Sequence, residues 1–319
     1  MNPSPTVIAI VGPTAVGKTG IGETVAHALG GEIVSADSMQ VYRGMDIGTA
    51  KPPEAVRSVP YHCVDIVDPG TPYSAALYQR DARAAIDAIA ARSRIPVLVG
   101  GTGLYVRAAL DDMRFPSGEN DAPSRRHYEA LAGDIGPLAL HELLLERDPA
   151  SAALIHPNNV RRVIRALEMA DEGTCYAEQA AGFAQRNTVY PTVFLGLTME
   201  RTALYARIEA RIDAMMVNGL FAEVRNLLAE GYRDALTAAQ AIGYKELVPV
   251  LEEGADQAEA IRAIKQATRR YAKRQLTWFH ADPRVRWLDV TVLSSKEATA
   301  QTLELLESSE PVLPTVTDE

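Results

Sequence analysis

Hydrophobic and polar positions along this chain fall into blocks that read as strand, loop and helix in turn. Residues 6–11 hold the uninterrupted apolar run Val7-Ile8-Ala9-Ile10-Val11, the pattern of a strand buried on both faces. Residues 18–29 follow with Ile21, Val25, Ala28 and Leu29 at helical spacing and stop at Gly30-Gly31. Glu32 to Ala36 reads as a second strand, Tyr61 to Ile66 as a short extended segment, and 75–92 as a helix rich in Ala and Arg. Residues 95–99 give another buried strand, which runs into Gly100-Gly101-Thr102-Gly103. Strands alternating with helices predict an α/β fold with a parallel sheet.

The pattern then changes. Residues 111–125 are polar and carry Pro116, Gly118 and Pro123, which reads as a boundary. Up to about Gly182 only helical segments are recognisable, over 124–133, 137–147, 149–155 and 159–172. Strand character returns at 193–197, followed by helices over 200–230, another beginning at 240–252, a long basic helix over 257–280 and a last strand over 286–290. The expected organisation is a discontinuous α/β core (1–115 and 193–308), a helical insertion domain (116–192) and a disordered tail (309–319). Trp278, at the end of the basic helix, is read as a core residue, as large aromatics usually are.

Chemistry enters at the end of the first strand. Gly12-Pro13-Thr14-Ala15-Val16-Gly17-Lys18-Thr19 is a G-x-x-x-x-G-K-[ST] loop between a strand and a helix, the setting in which that motif cradles phosphates. Its glycines let successive backbone N–H groups turn inward, the helix start adds a partial positive charge, and Lys18 adds a full one. The Thr19 hydroxyl is placed to ligate a Mg²⁺ that the phosphates also hold. The sheet is therefore expected to be P-loop NTPase-like, flanked by helices and interrupted by the insertion. In such sheets ligands sit at the carboxyl ends of the strands, so Asp37 and the Gly100–Gly103 turn with Thr102 belong to the same rim. The loop from Met39 to Pro53 carries Gln40, Tyr42, Arg43, Asp46, Thr49 and Lys51, too polar a mixture for a plain connector.

The formal net charge of −9 argues against a nucleic-acid partner when taken alone. Its distribution reverses that argument, because 261–281 holds six basic residues and no acid, and Arg161, Arg162 and Arg165 form a second cluster. Two isolated cysteines, no basic leader and no apolar run of membrane length predict a reduced, cytoplasmic protein with no membrane partner; a monomer is the default. Three functions fit the loop itself. A small-molecule kinase would use ATP; a switch or motor NTPase would want an acid where 95–99 instead runs into Gly-Gly-Thr; a third possibility holds a diphosphate that leaves.

The blocks Asp37 to Pro52, Gly100-Gly101-Thr102-Gly103-Leu104-Tyr105, His156 to Arg162, Ala241 to Glu246 and Tyr271 to Phe279, together with the loop at 12–19, resemble the tRNA dimethylallyltransferase (IPP transferase) family over most of the chain. The resemblance implies transfer of a dimethylallyl group from dimethylallyl diphosphate to N6 of the adenosine beside the anticodon, tRNA position 37, with Mg²⁺. It implies that residues 12–19 hold the diphosphate, that Thr102 and Arg211 (or Arg207) add contacts to it, and that Asp37 takes the amine proton. Asp37, Ser38, Met39, Gln40 and Thr102 would meet the flipped base. The anticodon stem-loop would be held by Arg125, Arg161, Arg162, Arg165, Gln240, Gly243, Tyr244, Lys245, Lys273, Arg274 and Gln275.

Overall fold

The computed structural model describes residues 6–115, 123–235 and 237–314. Two compact units divide the chain, one made of the stretch up to Asp111 and again from Thr188, the other of Asp112–Asn187. The second unit opens and closes a few residues earlier than the expected 116–192. The reason is local: Thr188 bridges Asp111, and the Val189 N–H donates to the Leu110 carbonyl, so the returning chain already belongs to the core.

The first unit is built on β1 (Val7–Val11), β2 (Glu32–Ala36), β3 (Tyr61–His62) and β4 (Pro96–Gly100), with α1 (Lys18–Ala28) joining β1 to β2, α2 (Ala75–Ala91) joining β3 to β4, and α3 (Gly103–Leu110) following β4. Every residue of β1, β2 and β4 is buried, as the continuous apolar runs of β1 and β4 require; in β2 the buried Glu32 and Ser35 are paired, with His62 and Arg92 and with Gln40.

In the second unit α4 (Pro123–Arg147) bends at Gly136, whose φ of 81° precedes Pro137; this explains the two separate segments read from the sequence. It packs with α5 (Pro149–Leu154), α6 (Val160–Asp171) and α7 (Tyr176–Ala184) around Tyr128, Leu140, Leu144, Ile155, Val163 and Leu167. Helix α7 was not anticipated.

The chain returns through β5 (Thr192–Thr198), α8 (Arg201–Val217), α9 (Leu220–Ala229), α10 (Val248–Glu253), α11 (Gln257–His280), β6 (Arg286–Asp289) and α12 (Ser295–Glu307). All six strands are parallel, in the order β3-β2-β4-β1-β5-β6. Register places Val11 beside Gly100 and Gly196, and Ala36 beside Gly100, so the strands that deliver the candidate residues end at one level. The helix expected to begin at 240 begins at Val248 instead, because Gly243 takes a φ of 96° and the chain turns there. The expected disordered tail is also partly corrected, since Val312 exchanges two backbone hydrogen bonds with Thr192. Residues 116–122 of the expected boundary and 315–319 of the expected tail lie outside the described residues. Among the described residues no helix is long and apolar enough to cross a membrane.

Candidate active site

The loop after β1 turns sharply. Gly12 has a φ of 145°, and a Cβ there would stand 2.4 Å from the Leu197 carbonyl oxygen of β5, so no side chain fits. Gly17 (φ 107°) starts α1, and Ala15 adopts the left-handed region at φ 66° without being glycine. Three turning residues in a six-residue span are what curls the amides inward. The loop walls a cavity of about 430 Å³ together with Asp37, Gln40, the β4 end at Val99–Gly101, and Arg207 and Arg211 from α8.

The charges in that cavity are three cations around one carboxylate. Lys18 folds back so that its ammonium donates to the Pro13 carbonyl at 2.7 Å. Loss of water around it lowers its pKa to about 7, against the pull of the Asp37 carboxylate and with a further push from Arg211. Burial likewise disfavours the charge of Arg211, and Asp37 opposes that shift. Asp37 itself is held by the Met39 N–H, which donates to its Oδ1 at 2.9 Å and leaves the second oxygen without a hydrogen bond among the described residues. Arg207 and Arg211 stand one turn apart on α8 and both reach the cavity, whereas Arg201 is exposed and lies over the Tyr205 ring. Such an excess of positive charge, partly dehydrated, suits a polyanion.

Thr102 lies behind this wall. Its hydroxyl accepts the Ser38 N–H at 3.1 Å and approaches the Ser38 Oγ at 3.3 Å, tying the β4 turn to the β2 end. Gln40 lines the cavity with both amide atoms engaged: Oε1 accepts from the Ser35 hydroxyl and Nε2 donates to the Thr49 carbonyl. The polar loop Met39–Pro53 spends much of its polarity on itself. Lys51, with a side chain only 3% exposed, bonds the Tyr42 carbonyl, Asp46 and Asp65. From α9, Glu223 accepts the N–H groups of Asp46, Ile47 and Gly48 and the Tyr244 hydroxyl. Sequence reading missed Glu223, and no local signal marks it: the loop N–H groups that it accepts lie some 176 residues away.

The residues expected to grip RNA divide into two groups. Arg161 and Arg162 are exposed on α6, and Gln240, Lys245, Lys273 and Arg274 are exposed in the first unit. Along α11, Arg262, Lys265 and Arg269 pair with carboxylates (Asp256 and Glu259, Asp213, and Glu209), while Arg270, Lys273 and Arg274 have no ion pair among the described residues. The other group has partners or places within the fold. Arg125 forms a two-pronged pair with Glu168, itself 2% exposed, and Arg165 shares that carboxylate, so both are engaged in holding their own unit together. Tyr244 is fully buried and Gly243 serves the turn, its N–H donating to Glu246. Gln275 is buried with its amide committed to the phosphate loop. Trp278 departs from the core reading in the opposite direction, being 43% exposed with its ring edge against Gly103; Phe279 is the buried member of that pair.

Comparison with known proteins gives the arrangement its relatives. The family model described as IPP transferase matches residues 40–282, and that described as isopentenyl transferase matches residues 5–58. The tRNA dimethylallyltransferase of Geobacillus thermodenitrificans is 52% identical over 287 residues, 89% of this chain and 90% of that protein. That of Symbiobacterium thermophilum is 46% identical over 96% of each chain. Among solved structures, the tRNA isopentenylpyrophosphate transferase of Bacillus halodurans superposes with a TM-score of 0.71 at 43% identity, over 96% of both chains. A eukaryotic dimethylallyltransferase acting on tRNA gives a TM-score of 0.79 at 28% identity, covering 97% of this chain and 81% of that one. A parallel sheet with this loop, and relatives that match it over about nine-tenths of its length, lead to one conclusion: the chain belongs to the IPP transferase family.

Proposed function

We propose that this protein transfers the dimethylallyl group of dimethylallyl diphosphate to N6 of adenosine 37 in tRNA, releasing diphosphate. The observation that carries the reading is a carboxylate, Asp37, in the same cavity as a phosphate loop and two arginines, with no second acid at the β4 end. A nucleotide switch would place a metal-holding acid there; this site has glycine and threonine. In the reaction the allylic C–O bond breaks, the C–N bond forms, and the amine proton passes to Asp37. Lys18, Arg207, Arg211 and the loop amides stabilise the charge that grows on the leaving diphosphate. The carboxylate is a sufficient base, because the amine becomes acidic only as its new bond forms.

The residues present fit a Mg²⁺ held mainly by substrate. Among the described residues no cluster of His, Cys, Asp or Glu could hold a metal alone, while the Thr19 hydroxyl faces the cavity without a protein hydrogen-bond partner. Magnesium commonly takes one or two protein ligands and completes its shell with phosphates and water. Thr19 would hold the ion, which when bound neutralises charge on the leaving group. Arg161, Arg162, Arg270, Lys273 and Arg274, exposed and basic, supply phosphate contacts to the tRNA.

Labelled dimethylallyl diphosphate incubated with tRNA and Mg²⁺ should leave label in the RNA, whereas labelled ATP should leave none in RNA or in any small alcohol. ATP-dependent phosphorylation in place of prenyl transfer would establish the kinase reading.

Donor binding should also take up a proton. Free Lys18, with its pKa lowered to about 7, is partly neutral near neutral pH, and a bound diphosphate favours the ammonium. The bound-state pKa is therefore the higher one, and affinity falls as pH rises above about 7 toward it. Below that range the group contributes no pH dependence. Calorimetry at about pH 8 in two buffers of different ionisation enthalpy should give unequal apparent enthalpies; equal ones would mean that Lys18 does not titrate.

A further inference from the structure

The face of α11 that looks into the protein does something its exposed basic residues do not. Gln275 is 5% exposed. Its Oε1 accepts the N–H of Thr14, inside the phosphate loop, at 2.8 Å. Its Nε2 donates to the carbonyl of Gly101, in the turn after β4, at 2.9 Å. A Cβ on Gly101 would lie 2.2 Å from that same nitrogen, so the glycine is what admits the amide. One turn earlier, the Tyr271 hydroxyl lies beside Thr102 and Gln275 and is pushed up to about 12 by burial.

We infer that Gln275 is a positioning residue for the diphosphate loop, bracing it against the β4 turn from a helix 261 residues away, and that it is not an RNA contact. The inference rests on the donor reading of the cavity. The chemistry demanded at this point is narrow. One lip of the site offers a donor and the other an acceptor, and a neutral amide supplies both in fixed places. A carboxylate would leave two acceptors facing each other at Gly101 and set a negative charge behind the diphosphate. Lysine or arginine would leave Thr14 without an acceptor.

The brace matters because the loop is not a relaxed turn. Ala15, the residue after Thr14, sits at φ 66°, a region that costs an alanine about 1 kcal/mol or more. Such a conformation persists only when neighbours fix it, and the Thr14–Gln275 bond is the side-chain tie adjoining it. Without it the amides that face the phosphates lose their shared direction, and donor affinity falls before any RNA is involved.

The test uses the full chain and Mg²⁺ with inorganic diphosphate as probe, so that it does not depend on prenyl transfer taking place. Gln275→Leu should raise the dissociation constant for Mg-diphosphate about tenfold and leave tRNA affinity unchanged. Lys273→Ala should do the reverse. Gln275→Glu adds a readout that a general packing defect would not move. A protonated glutamic acid has a carbonyl acceptor and an O–H donor, as the amide does. Burial raises its pKa, so at about pH 5 this variant should approach wild-type affinity while Gln275→Leu does not. At about pH 8 it should bind at least as weakly as Gln275→Leu. Diphosphate affinity within twofold of wild type for Gln275→Leu, or tRNA binding weakened as much as by Lys273→Ala, would overturn the inference. If Gln275→Leu does not fold, the pH-dependent recovery of Gln275→Glu decides alone, and its absence counts against the brace. Failure of the donor reading would show separately, as wild-type protein that transfers no label to tRNA.

Discussion

Asp37→Asn should lower prenyl transfer by about 10²- to 10⁴-fold while tRNA affinity stays within a few-fold. The substitution is nearly isosteric, and its carbonyl oxygen can still accept the Met39 N–H, so the turn after β2 keeps its shape. What disappears is the ability to take the N6 proton. The carboxylate also balances Lys18 and Arg211, and each of those groups is held nearer its charged form by Asp37. Removing a negative charge beside a polyanion site favours diphosphate, whereas the deeper shift of Lys18 disfavours it. Diphosphate binding is thus the control that separates a lost base from a damaged pocket. Single-turnover transfer with saturating donor measures the effect directly, and transfer within tenfold of wild type would remove Asp37 from the role of base.

The parts of this site that sequence could locate share a physical cause. In a parallel sheet every strand delivers its following residues to the same rim, so finding the strands that end at Val11, Ala36 and Gly100 also places the phosphate loop, Asp37 and the glycine turn. No long-range information is needed. The basic residues behave differently, because a charge read from sequence carries no label for its partner. Arg125 and Arg165 look like an RNA patch until Glu168 is found beneath them, and Lys265 and Arg269 until Asp213 and Glu209 are found on α8. Gln275 and Glu223 were invisible as braces for the same reason. Helix α12 was also not anticipated, although the Ser294–Glu297 capping box, whose two hydrogen bonds are both formed, is a signal that marks its start. Helix α7 had little: its Cys175 N-cap makes no side-chain capping bond and Gly182 sits near its end. Trp278 misled because aromatic burial is a tendency of the residue type, while the partner that this ring meets is Gly103, at the start of a helix that the glycine-rich turn concealed.

Lys18→Ala should raise the KM for dimethylallyl diphosphate and lower kcat, for a combined loss of about 10²- to 10³-fold. The charge acts at short range in a partly dehydrated site, and the leaving group gains charge as the allylic bond breaks, so both binding and the chemical step draw on it. Lys18→Arg should not restore activity. The ammonium is compact enough to fold back onto the Pro13 carbonyl at 2.7 Å, and a planar guanidinium cannot take that position inside the same loop. Stability should move little or in the favourable direction. Among the described residues the Pro13 carbonyl is the one acceptor of this ammonium, and dehydration already disfavours its charge, so alanine removes a cost of folding along with the contact. Two further measurements tie the effect to this residue. The fall in donor affinity above about pH 7 should be absent from Lys18→Ala. The losses in Lys18→Ala and Arg211→Ala should not add in the double variant, because both cations serve one diphosphate and each lowers the demand on the other. A double-variant loss equal to the sum of the two in free energy would mean that the two groups act on separate events.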